Sequence, residues 1–127
     1  MTPTKVVESI YDAIQRRDLG FVLGQLDPDV VWQGPSTIPW GGKHIGPEGV
    51  KDFFVKLSEN VELRSLTLNE SIASGDRVVT LGSYEGRSPK TGKSAITDYC
   101  WVWRVKDGKI SSYQGLFDTA LVLAALN

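Results

Sequence analysis

The sequence predicts an α+β domain in which N-terminal helices pack on the concave face of a curved, largely antiparallel sheet. Three observations support this fold class. Apolar residues recur at helical spacing in the first 60 residues, the period then changes towards two, and turn signals follow at strand-length intervals. Helices followed by a long meander are typical of an α+β domain. At 127 residues the chain has the size of one domain, so we expect a single domain over residues 1–127.

Two amphipathic helices are expected at the start of the chain. The first spans 4–17, with Pro3 at its first helical position. Asp18 caps the second, whose apolar stripe runs to Leu26. We expect this helix to end at residues 27–29, because the proline there disfavours a helical conformation at the preceding residue.

A short strand, a loop and a third helix follow. Residues 30–33 form the predicted strand, and 34–47 are a glycine- and proline-rich loop with at most a very short strand at 43–45. Loops of this length are usually functional. The third helix begins at Gly46 with a proline and an acid in its first turn, and its apolar residues fit the helical spacing without a miss.

The C-terminal half is predicted to be a four-stranded antiparallel meander. Its strands cover approximately 61–72, 77–87, 94–106 and 109–117. Asp107 and Gly108 join the last two strands, and both residue types tolerate the positive φ of a type I′ turn. Asp118 is then the predicted N-cap of a short C-terminal helix.

The strand at 94–106 carries bulky apolar side chains on both faces. Alternation places Tyr99, Trp101 and Trp103 on one face and Cys100 and its even-numbered neighbours on the other. One of the two faces would meet the helices. Because the other also needs cover, we expect a homodimer formed through the outer face of the sheet.

Composition argues against several classes of partner. The formal net charge is -1, with 14 basic and 15 acidic residues, so no basic surface for nucleic acid is indicated. No apolar run is long enough for a membrane span, and the first residues lack an apolar signal core, so we expect a cytoplasmic protein. Cys100 is the single cysteine and predicts neither a disulfide nor a zinc site. We expect no metal and no cofactor.

The order of these elements resembles the NTF2-like superfamily, within the cystatin-like folds, and in particular its SnoaL-like and ketosteroid-isomerase-like members. The resemblance covers nearly the whole chain and rests on the motifs at 17–18, 29–32, 42–54, 76–79 and 107–119. It implies a cone-shaped sheet with a pocket at its open end, frequently a homodimer, and no obligatory cofactor.

The same resemblance indicates which family chemistry this chain lacks. Aligned with the ketosteroid isomerases, Gly34 occupies the position of the aspartate base and Trp101 that of the acidic donor. Aligned with limonene-epoxide-hydrolase-like members, the last strand retains Asp118 but has Gly115 in place of the earlier aspartate. Both classical activities are therefore disfavoured.

Two ionisable residues remain as candidate bases. Asp118 lies at the end of the last predicted strand and could act as a general base, although its position before a helix favours an N-cap. His44 is the only histidine and could transfer a proton near neutral pH, or could simply be a hydrogen-bonded loop residue.

Aromatic residues provide the strongest functional signal, because large rings with a few polar tips suit a pocket for a flat apolar ligand. The alternative is an ordinary packed core. The candidate ligand-binding residues are Tyr11, Trp32, Trp40, Phe54, Tyr99, Trp101 and Tyr113.

Three functions are compatible with these features. The first is an isomerase, cyclase or hydrolase that transfers protons on a hydrophobic carbonyl-containing or cyclic metabolite. The second is a non-catalytic, dimeric binder of a small hydrophobic molecule, and the third is a scaffold that needs no pocket.

Overall fold

A computed structural model describes residues 2–127 of the chain. Within that range it contains four helices and six strands: α1 Pro3–Gln15, α2 Leu19–Gly24, β1 Leu26–Gly34, β2 Gly42–Ile45, α3 Gly46–Asn60, β3 Glu62–Ser74, β4 Arg77–Arg87, β5 Ser94–Lys106, β6 Lys109–Phe117 and α4 Thr119–Leu126. The α+β class and every predicted helix and strand are confirmed.

The six strands form one curved, unclosed sheet in the order β2-β1-β6-β5-β4-β3. Neighbouring strands are antiparallel except β1 and β6, which run parallel. The first strand therefore lies beside the last one. In this mixed sheet, Trp32 of β1 is in register with Tyr113 of β6, and Trp103 of β5 is in register with Tyr113 on the other side.

The second helix is shorter than the sequence predicts. It ends at Gly24, and Leu26, which we expected to be helical, begins β1. Ile110 of β6 explains the difference, because its N–H donates to the Gln25 carbonyl at 2.9 Å and its Cα pairs with that of Leu26. A parallel strand pair therefore overrides the helical spacing of the apolar residues. The pairing is irregular between Leu26 and Val31, where the proline-containing segment lies.

A buried hydrogen-bond chain connects α1 to the concave face of the sheet. Thr80 of β4 is 0% exposed, and its Oγ1 accepts from Trp103 Nε1 at 3.0 Å. Tyr11 Oη lies 2.9 Å from Thr80 Oγ1 and 2.8 Å from Tyr99 Oη, while Tyr99 Oη donates to the Thr67 carbonyl at 3.0 Å.

The Tyr99 hydroxyl donates to the Thr67 carbonyl, because a carbonyl oxygen only accepts. The Tyr11 hydroxyl donates to Thr80 Oγ1, which therefore accepts from both Tyr11 and Trp103. Together with the Tyr11–Tyr99 contact, these bonds hold α1 against the sheet.

Among residues 2–127, no helix combines the length and the apolar character that crossing a bilayer requires.

Candidate functional site

An apolar cavity lies between the concave face of the sheet and helices α3 and α4. The cavity has a volume of about 120 Å³. One water requires roughly 10–15 Å³ on this measure, so the cavity has room for a small organic molecule. All four tryptophans of the chain contribute to its wall.

The floor of the cavity is a cluster of aromatic rings at the centre of the sheet. The rings of Trp32 and Tyr113 stack with centroids 4.1 Å apart, as their paired positions on β1 and β6 require. Trp103 meets Trp32 edge to face at 5.9 Å, and Phe53 from α3 does so at 5.8 Å. Each ring of the floor therefore packs against at least one other ring in a favourable stacked or edge-to-face geometry.

Tyr113 provides a hydroxyl group at this floor. Burial raises the pKa of Tyr113 well above its ordinary value, and the nearby Tyr84 and Tyr99 hydroxyls raise it further, so the group stays protonated. No hydrogen bond within residues 2–127 uses this hydroxyl. Gly115 makes room for it, since a Cβ at that position would overlap Tyr113 Oη.

Two further donors belong to the cavity wall. Trp32 Nε1 is buried and has no hydrogen-bond partner within the described part of the chain. A buried donor without an acceptor costs about 1–3 kcal/mol, and this atom has almost no accessible surface. Tyr84, opposite the floor on β4, has a pKa raised by burial and stays a neutral donor.

The cavity has tyrosine hydroxyls but lacks carboxylate, imidazole and basic side chains. Among the described residues that line it, none is an aspartate, glutamate, histidine, lysine or arginine. Metal binding is also not indicated, because no three His, Cys, Asp or Glu side chains converge anywhere between residues 2 and 127.

Five of the seven predicted ligand-binding residues line the cavity. These are Trp32, Trp40, Phe54, Trp101 and Tyr113.

The other two predicted ligand-binding residues do not line it. Tyr11 and Tyr99 lie beside the cavity, where their hydroxyls belong to the hydrogen-bond chain with Thr80. The structure therefore does not bring them together with Tyr113 as ligand donors.

His44 lies behind the cavity wall. Its Nε2 is 3.1 Å from the carbonyl oxygens of both Trp40 and Gly41, and a ring nitrogen can bond to carbonyls only as a donor. The imidazole packs edge-on against Phe53, with centroids 5.5 Å apart. His44 thus holds the loop that carries Trp40, and it does not line the cavity.

Asp118 is the N-cap of α4. Its Oδ1 accepts from the N–H groups of Ala120 at 3.1 Å and Leu121 at 3.3 Å. The residue borders a shallow groove on the outer side of the sheet and is not part of the cavity wall.

Tyr84 is the site residue that sequence reasoning missed. The signal was present, because Val78, Thr80 and Gly82 precede it at a spacing of two and share its face of β4. The contribution of α4 was also missed: Val122, Ala125 and Leu126 close one side of the cavity.

The arrangement of helices over a curved six-stranded sheet is that of NTF2-like proteins. An NTF2-like protein of unknown function from Burkholderia pseudomallei is 32% identical, has a TM-score of 0.92 and matches over 100% of this chain and 99% of its own. The sequence pattern of the SnoaL-like domain matches residues 7–113, so the chain belongs to the SnoaL-like domain family.

The chain is also similar to two proteins with more specific names. TerC, crystallised with polyporic acid, is 29% identical with a TM-score of 0.89, and the match covers 98% of each chain. The patulin synthesis protein F of Aspergillus clavatus is 30% identical over 87 residues, which are 66% of this chain and 44% of the relative. The chain therefore spans less than half the length of this curated relative.

Proposed function

We propose that the chain binds a flat, hydrophobic aromatic molecule that carries hydrogen-bond acceptors such as carbonyl or quinone oxygens. The observation that carries this proposal is an aromatic cavity with the protonated Tyr113 hydroxyl at its floor. Tyr113 keeps its proton and lines the cavity, so an acceptor on the ligand would satisfy its hydroxyl. The rings supply the apolar contact and the donors supply the orientation.

The comparison with TerC supports the same ligand class. That protein was crystallised with polyporic acid, an aromatic hydroxyquinone, and it shares 29% of its residues with this chain over nearly the full length. Polyporic acid is therefore a reasonable first probe for this cavity.

Binding is favoured over proton transfer because the candidate bases lie outside the cavity wall. Asp118 uses Oδ1 to cap α4, and His44 uses Nε2 on two loop carbonyls. Their catalytic roles stay predictions. If a substrate found by screening were turned over and Asp118→Asn or His44→Ala abolished that turnover, the proton-transfer enzyme would replace the binder as the better proposal.

Tryptophan fluorescence tests the binding proposal directly, because all four tryptophans border the cavity. We expect saturable quenching by polyporic acid and by the neutral probe 2-naphthamide. Tyr113→Phe should weaken binding of either by about three- to ten-fold, the loss of one hydrogen bond. Tyr99→Phe removes a hydroxyl outside the cavity and is the matched control. Absence of saturable quenching by both probes would contradict the proposal.

We also propose that the binder is a homodimer formed through the outer sheet face. This face exposes large apolar side chains on three strands, with Ile72 51%, Ile96 66% and Leu116 47% exposed. We infer the interface from these exposed apolar side chains, which association of two copies would remove from water. We expect sedimentation equilibrium to give twice the chain mass and Leu116→Lys to shift it to the monomer. A monomeric wild-type protein at about 100 μM would contradict this.

A further inference from the structure

A groove on the outer surface leads towards the cavity. It lies between the end of α1, the short helix α2 and the C-terminal half of α3. Groove and cavity share five wall residues: Ile14, Phe54, Leu57, Val61 and Leu63. All five are half-buried, whereas the floor residues are buried. The shared residues are therefore the rim at which the groove meets the cavity.

Arg17 stands on the wall of this groove in an unusual backbone conformation. The N–H of Arg17 donates to the Ile14 carbonyl at 3.0 Å, and the N–H of Asp18 donates to the Ala13 carbonyl at 2.8 Å. This pair of bonds is the Schellman motif that ends α1, and it places Arg17 at the position where glycine is favoured. Arg17 has a φ of 59°, in the left-handed region. The chain thus has a positively charged arginine at a turn position that favours glycine.

The charge of Arg17 is not compensated by its neighbours. Arg16 bonds to both Asp12 and Asp18, at 3.1 and 3.2 Å. Asp18 also accepts from the Phe21 N–H at 3.0 Å, so its carboxylate is already engaged. None of the ion pairs formed within residues 2–127 includes Arg17. The groove therefore carries one uncommitted positive charge beside an otherwise apolar rim.

We propose that the groove is the entrance to the cavity and that Arg17 is a specificity-determining residue, which favours aromatic ligands carrying an anionic group such as a carboxylate. The inference rests on the proposed function and narrows its ligand class. The aromatic body would occupy the cavity while the anionic group stays at the rim, where water solvates it and Arg17 pairs with it. An always-charged, planar guanidinium suits this pairing.

The test compares two probes of equal size, 2-naphthoate and 2-naphthamide, by tryptophan quenching at pH 7. We expect wild-type protein to bind the anion about three- to five-fold more tightly than the amide, the range of a solvent-exposed ion pair. Arg17→Gln and Arg17→Gly should each reduce this ratio to about one and leave the amide affinity unchanged. Glycine suits the left-handed φ, so Arg17→Gly should keep the turn intact. Raising the salt to about 1 M should also reduce the wild-type ratio.

Arg77→Gln is the charge-matched control. It removes an exposed arginine at the start of β4, outside the residues that line the groove, and should keep the wild-type ratio. Equal wild-type affinities for the two probes, or a ratio that survives both Arg17 substitutions, would overturn this inference and leave the proposed function standing. If neither probe binds the wild-type protein, the proposed function fails and this inference fails with it.

Discussion

The hydrogen-bond chain at Thr80 should be essential for stability, and Thr80→Val tests this. The substitution keeps the shape of the side chain and removes the hydroxyl that accepts from Trp103 and bonds to Tyr11. Two hydrogen bonds at about 1 kcal/mol each are lost, and the Trp103 N–H is left buried without an acceptor, which adds up to about 2 kcal/mol. We therefore expect the free energy of unfolding to fall by about 2–4 kcal/mol.

Urea unfolding followed by circular dichroism measures this change. Thr67→Val is the matched control, because the same substitution on exposed β3 removes a hydroxyl that makes no hydrogen bond in the structure, and it should change stability by less than about 0.5 kcal/mol. In a double-mutant cycle, Thr80→Val and Tyr11→Phe should couple by at least about 0.5 kcal/mol. A loss below about 1 kcal/mol for Thr80→Val, or additive effects in the cycle, would refute the reasoning.

Three further predictions concern the cavity and its borders. Gly115→Ala should destabilise the fold by about 1–3 kcal/mol and weaken 2-naphthamide binding, because the new Cβ overlaps the Tyr113 hydroxyl. Gly24→Ala is the control, since a Cβ at that position meets nothing within 4 Å. Equal thermal midpoints for the two variants would argue against close packing between Gly115 and Tyr113. Asp118→Ala should lower the thermal midpoint, because it removes an N-cap worth about 1 kcal/mol. Asp118→Asn should leave the midpoint nearly unchanged, because asparagine also caps helices. An equal decrease of the midpoint in both variants would disprove a pure capping role. Burial raises the pKa of Tyr11 and Tyr113, so above pH about 10 the folded state holds protons that the unfolded state releases. The free energy of unfolding should be flat between pH 8 and that pH and should fall by about 1.4 kcal/mol per pH unit per tyrosine above it. Urea titrations between pH 8 and 11 measure this fall, and Tyr113→Phe should make it shallower. An unchanged slope in the variant would count against a buried Tyr113.

Local sequence patterns were sufficient to predict features that depend on a single helix, strand or turn. Alternation alone placed Trp101 and Trp103 on the same face of β5, and both lie in the cavity wall. The cap at Asp118 was equally predictable, since it depends on the first residues of one helix. The positive φ values of Asp107 and Gly108, 51° and 76°, agree with the turn that their residue types favour.

Interactions between distant parts of the chain could not be predicted in the same way. The Tyr11 hydroxyl is used by residues 69 and 88 positions away, and no local pattern shows that it is unavailable to a ligand. The early end of α2 depends on Ile110, which lies more than eighty residues further along the chain. Tertiary contacts fix the direction in which each polar group points. They therefore also decide which hydroxyl groups face the cavity, and no local sequence pattern shows this.

The parallel pairing of β1 with β6 has a consequence for how the protein is made. The stack of Trp32 on Tyr113, which forms the cavity floor, joins residues from the first third and the last sixth of the chain. During synthesis the N-terminal half emerges with the apolar side of β1 unpaired and must wait for the final strand. Pairings of such long range are slow to form. The cavity is thus among the last features to appear, and a nascent chain stalled before residue 109 would expose the future floor to chaperones or to aggregation.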